Sequence, residues 1–175
     1  MKKLTTAPKT LLIISLVIVT GLLLPAGRLI PVKGASNNDW NHNTWWYEPW
    51  GASGVHKGVD IFAQKGTNVI NPGYGLIIYS GNIGQGGNVV LILGPKWRLH
   101  YFAHLDAIEE NTGLFISPGE TLGSVGDSGN AAGKQPHLHY SIITLLPYFW
   151  LMDDTTQGWK KTFYLNPLKQ FKNAD

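Results

Sequence analysis

The 175-residue chain contains no cysteine, so neither a disulfide framework nor a thiolate metal site is available to it. Charge is also scarce: only 14% of residues are Asp, Glu, Lys or Arg, against 43% hydrophobic, which excludes a disordered polyelectrolyte. The first 34 residues hold no acid at all, yet carry Lys2, Lys3, Lys9, Arg28 and Lys33. Those five of the 14 basic residues account for the net charge of +3, because nine bases and 11 acids remain beyond them. The folded part is therefore slightly acidic, and a nucleic-acid-binding function finds no support. Also missing is His-Glu-x-x-His, the helical zinc motif that supplies its own glutamate base.

One long apolar run is present, TLLIISLVIVTGLLLPAG, from Thr10 to Gly27. At ~1.5 Å per residue it would extend roughly 27 Å, just under the ~30 Å hydrocarbon core. With lysines ahead of it, the segment 1–34 is expected to be a signal peptide or a minimal signal anchor. Ala26 and Gly34 offer small residues for cleavage, and the remainder is expected in the cell envelope, periplasmic or at the cell surface. Membrane contact would then run through the N-terminal segment if it stays uncleaved.

Residues 35–54 read as a linker and approach segment, in which Asn, Gly and Pro deny regular structure and tryptophans supply apolar area. From Val55 the pattern becomes short β-like runs broken by glycine. Strands are expected near 55–62, 67–71, 74–80, 87–93, 97–104, 121–125 and 137–144. Turns are expected at Pro72-Gly73 and Pro118-Gly119, and a short helix around 104–112. The expected fold is mainly β, a single small domain of antiparallel sheet over 55–175, preceded by an N-terminal hydrophobic helix.

The stretch HLH, His137 to His139, places two imidazoles two residues apart, so a strand would point both to one face. His56 and Asp60 lie four apart, and Gly54 and Gly58 disfavour a helix there. His104 ends an apolar strand. Imidazole nitrogen and carboxylate oxygen are ordinary zinc ligands, and catalytic zinc uses three protein ligands with an open position. A His-x-x-x-Asp pair alone could equally be a surface salt bridge, and a lone half-buried histidine could simply be structural. His-x-His also opens the metal site of cupins, but that site needs a nearby glutamate and SIITLLP has none.

The ordered set resembles the lysostaphin-type zinc metallopeptidases, which cut peptide bonds in bacterial peptidoglycan. The resemblance runs from Val55 to Ile143: HKGVD (56–60), YFAHL (101–105), the glycine-rich PGETLGSVGDSGN (118–130) and HLHY (137–140). It implies a duplicated-hybrid, lysostaphin-like fold in which His56, Asp60 and His139 bind Zn2+. His104 and His137 would be the catalytic pair, acting on water and on the developing oxyanion. With no suitable glutamate, and with Glu109, Glu110 and Glu120 in turn-like text, the base role falls to imidazole, whose ordinary pKa of ~6.5 suits proton transfer.

Two departures stand out: Gly133-Lys134-Gln135-Pro136 precedes the HLH where the family usually has a shorter Gly-Pro approach, and His100 replaces a small hydroxyl residue. His100 is read as structural or as a groove residue, and His42 as serving no metal. The implied partners are peptidoglycan peptides, with envelope proteins besides. Two other readings stay open. One is a catalytically silent wall-binding module that activates another hydrolase. The other is docking through the Trp-rich segment and TLLPYFWLM (144–152), which could instead pack as a collar around the β core.

Overall fold

The computed structural model describes residues 6–110 and 113–171. It opens with a helix, α1 (Thr6–Leu23), followed by nine strands: β1 (Val59–Phe62), β2 (Asn68–Ile70), β3 (Gly75–Ile83), β4 (Gly87–Gly94), β5 (Arg98–Ile108), β6 (Phe115–Ile116), β7 (Thr121–Val125), β8 (His137–Thr144) and β9 (Tyr164–Leu165). The strands form one antiparallel sheet in the order β1-β8-β5-β4-β3-β6; β9 joins β8, and β7 bridges from the end of β5 to β2. The expected mainly-β fold with an N-terminal helix is the one observed. Among the described residues no helix is long and apolar enough to cross a membrane. Lys2 and Lys3, invoked for the leader, lie outside the described residues.

Alternation in β8 decides which face becomes core. Leu138, Tyr140 and Ile142 are buried, alongside Val59 and Ile61 of β1, Val90 and Ile92 of β4, and Phe102 of β5. The intervening His137, His139 and Ser141 must then face the opposite side of the sheet. The Pro118-Gly119 turn forms as expected: the Glu120 amide donates to the Ser117 carbonyl and Gly119 takes φ +80°, a conformation open to glycine at little cost.

The expected helix around 104–112 does not form over the residues described there. Strand β5 continues to Ile108 instead, because its far half pairs with β7, Leu105 opposite Val125 and Ile108 opposite Gly123. Residues 111–112 lie outside the described residues. Ladder hydrogen bonds to a partner distant in sequence override a weak local helical pattern. Two short strands, β6 and β9, carry no sequence signal of their own.

Residues 29–33 run beside β2. The Leu29 amide donates to the Pro72 carbonyl, Lys33 to Asn68, and Ile70 in return to Pro31. Val32 is buried in the core as a result. Further on, Trp40 and Trp46 are buried against the domain, whereas Trp45 and Trp50 are half-exposed. Much of this aromatic segment packs as a collar, and part of it reaches the cleft described next.

Candidate metal centre

Strands β1 and β8 place Asp60 directly opposite His139. Their side chains meet on the cleft face, Asp60 Oδ1 lying 2.7 Å from His139 Nδ1. Gly58 makes the close approach possible, since a Cβ there would sit 2.6 Å from both Ser141 Oγ and the Tyr140 carbonyl oxygen. His56 arrives from outside the sheet: its amide donates to the Tyr47 carbonyl and its own carbonyl accepts from the Trp46 amide. The approach segment therefore presents His56 to the cleft, and Trp50 stacks on the imidazole at 4.1 Å between ring centroids. His56 Nε2 lies 3.0 Å from Asp60 Oδ1 and 3.0 Å from His139 Nδ1.

Outward hydrogen bonds fix where the ring protons sit. His56 Nδ1 faces the Thr44 carbonyl at 2.9 Å, a pure acceptor, so the proton belongs on Nδ1. The Ser141 hydroxyl donates to the Lys57 carbonyl at 2.8 Å, which commits its only hydrogen. Ser141 Oγ must then accept from His139 Nε2–H at 3.0 Å. In the tautomers these partners select, Nε2 of His56, Nδ1 of His139 and Oδ1 of Asp60 turn lone pairs toward one another. Three converging acceptors, one anionic, make a cradle for a cation, and two nitrogens with one oxygen suit zinc.

His104 and His137 stand beside this trio. His137 shares the His139 face of β8, and its ring centroid is 5.1 Å from that of His104, which lies 6.0 Å from His139. Simple alternation would send His104 to the core. Phe102 and Leu105 are core residues, while Tyr101 and Ala103 line the cleft. A bulge intervenes: Val90 pairs with Phe102 but Asn88 with Leu105, so β5 carries an extra residue. His104 takes φ +64° at that point, and its side chain joins the cleft. Each ring donates Nδ1–H to a carbonyl, His104 to Ser128 at 3.0 Å and His137 to Gln135 at 2.8 Å. Both Nε2 lone pairs are thus left available. Burial above all holds the His104 imidazole down at about 4, so it is neutral at pH 7.

These groups line an open cleft of about 630 Å³, together with Trp50, Tyr101 and Lys134. The other histidines and acids singled out from the sequence lie elsewhere. His100 is buried against the Tyr140 hydroxyl at 2.6 Å, and exposed His42 contacts the Asn37 carbonyl at 3.2 Å. Glu109 and Glu110 border a separate hollow, and Glu120 accepts from the Ser117 amide. Sequence reasoning missed Thr44, Trp50 and Ser141. Only Ser141 left a signal, two residues beyond His139 on the same strand face.

The family model for peptidase family M23 matches residues 54–148. The L-Ala--D-Glu endopeptidase of Bacillus subtilis (strain 168) is 37% identical over 113 residues, 59% of this chain and 35% of that protein. The murein hydrolase activator NlpD of Escherichia coli (strain K12) is 31% identical over 97 residues, 54% of this chain and 25% of its own length. This chain thus spans about a third or less of those curated relatives. Among solved structures, the catalytic domain of the antimicrobial peptidase lysostaphin from Staphylococcus simulans aligns with TM-score 0.58 at 22% identity, over 76% of this chain and 92% of that one. That likeness is one of fold.

Proposed function

This chain belongs to peptidase family M23, and on that premise we propose that it is a zinc-dependent endopeptidase hydrolysing peptide bonds of bacterial peptidoglycan. The observation that carries the reading is the convergence of three lone pairs, from His56, Asp60 and His139, within 3.0 Å of one another. Those residues would hold Zn2+, which when bound supplies Lewis acidity for activating water and polarising the peptide carbonyl.

The remaining chemistry belongs to the chain. Nε2 of neutral His104 and of His137 can each take a proton from the attacking water and return it to the leaving amine, with the Ser128 and Gln135 carbonyls holding the rings in the required tautomer. Burial raises the Tyr101 hydroxyl pKa, so Tyr101 remains a hydrogen-bond donor beside the developing oxyanion. The working domain is taken as residues 55–175, with residues 29–33 and the 35–54 segment packed on it. The segment 1–34 is taken as an export signal or anchor delivering the domain to the cell envelope.

A second reading, a silent partner that activates another wall hydrolase, is favoured by the match to the activator NlpD. The complete set of five site residues favours hydrolysis. Digestion of purified peptidoglycan by the zinc-loaded chain, followed by mass spectrometry of released peptides, decides between them. New amino termini that disappear on chelation are expected; intact peptides, with stimulation of an added wall hydrolase, would establish the activator instead.

A further inference from the structure

Gly133-Lys134-Gln135-Pro136 lead into β8, and of the four the proposed chemistry uses only the Gln135 carbonyl, which holds His137. They place Lys134, with Gln135 beside it, on the cleft that holds His104, His137 and His139. The loop carrying it is held at both ends. Ser128 Oγ accepts from the Asn88 amide and donates to the Leu105 carbonyl, and the His137 amide donates to the Gly126 carbonyl. A turn fixes Lys134 itself, its amide donating to the Ala131 carbonyl at 2.9 Å.

Charges around the cleft are unbalanced. Its lining contains Lys57, Lys134 and a single acid, Asp60, already engaged by two imidazoles. Lys57 is occupied too, its ammonium donating to the Ser53 carbonyl at 2.9 Å. Asp127, at the base of the loop, is paired with Lys65 at 2.8 Å and so does not neutralise Lys134. Among the described residues Lys134 is exposed, and its ammonium has neither an ion-pair nor a hydrogen-bond partner. A cationic group lining the same cleft, with no internal counter-charge, attracts an anionic ligand and disfavours a neutral one.

We infer that Lys134 is a specificity-determining residue that pairs with a free carboxylate on the substrate peptide, so that the cleft selects carboxylate-bearing stem peptides over neutral glycine bridges. The inference rests on the proposed hydrolysis of wall peptides and narrows it to one chemical class.

Two synthetic peptides test it, identical except that the residue beside the scissile bond carries a free carboxylate in one and a carboxamide in the other. The full zinc-loaded chain should show about fivefold higher kcat/KM on the carboxylate peptide, the scale of one exposed charge pair. The margin should shrink as salt is added. Lys134→Gln should close the gap and Lys134→Arg should keep it. Equal rates on both peptides, or a gap that survives in Lys134→Gln, would overturn the inference. If neither peptide is cut, calorimetric titration of the same pair decides. Carboxylate preference lost in Lys134→Gln would uphold Lys134 while removing the hydrolase reading, and equal binding of both peptides would remove Lys134.

Discussion

Asp60 and His139 are directly opposed residues of β1 and β8, and their facing side-chain atoms stand 2.7 Å apart. Antiparallel pairing thus brings together two donors that lie 79 positions apart in sequence, and His56 completes the trio. Wild-type protein is expected to hold one zinc ion per chain. Asp60→Ala and His139→Ala should each lose it, together with all hydrolysis. Metal content by plasma mass spectrometry checks this, and stoichiometric zinc in His139→Ala would refute the ligand set. Chelation of the wild type should also lower its melting temperature, since a ligand bound only by the folded state adds to stability.

Ser141 orients His139 by spending its own proton on the Lys57 carbonyl. Partners of this kind typically contribute ~10–100-fold in metal affinity. Ser141→Ala should therefore weaken zinc binding by about that factor in competition with a chelator dye, while the fold, read by circular dichroism, is retained.

His104 reaches the cleft through its bulge and takes no part in the acceptor trio. His104→Ala should keep zinc and lose ~10²–10⁴-fold in kcat, the usual contribution of a general acid or base. His137→Ala should behave alike, its ring being tied to the Gln135 carbonyl in the same way. Undiminished turnover in either variant would remove that residue from the mechanism.

Burial, aided by the Arg98 charge, holds the His100 imidazole down at about 4. The unfolded chain therefore takes up a proton near pH 6.5 while the folded chain does not, so stability falls as pH drops from about 6.5 towards 4. The loss from this residue amounts to about 3 kcal/mol. His100→Gln keeps a side-chain partner for the Tyr140 hydroxyl but cannot titrate. Urea unfolding at a series of pH values should give a shallower acid slope for the variant; identical slopes would show that His100 does not control it.

Much of the architecture was legible because the periodicity of two is a local property. The limits of β7 and β8 agree with the sequence expectation, and alternation along β8 separates the Leu138, Tyr140, Ile142 face from the histidines. Turn chemistry at Pro118-Gly119 was legible for the same reason. The run 55–62 was not, since residues 55–58 stand outside β1. Backbone bonds from Trp46 and Tyr47 hold His56 there, and neither residue announces that pairing. The helix expected around 104–112 fails for a related cause, a ladder to β7 closed across a long stretch of chain.

Residue types and local spacing, fixed by the sequence itself, determined that this chain would build antiparallel sheet and carry imidazoles and a carboxylate suited to a metal. Only the tertiary structure decided that Thr44 and Ser141 would claim the outer ring protons, that Trp50 would cover His56, and that a bulge would bring His104 into the cleft. Those outcomes depend on loop packing and strand pairing that local periodicity does not encode. A sequence states which groups are present, but the direction of a lone pair is set only when its neighbours arrive.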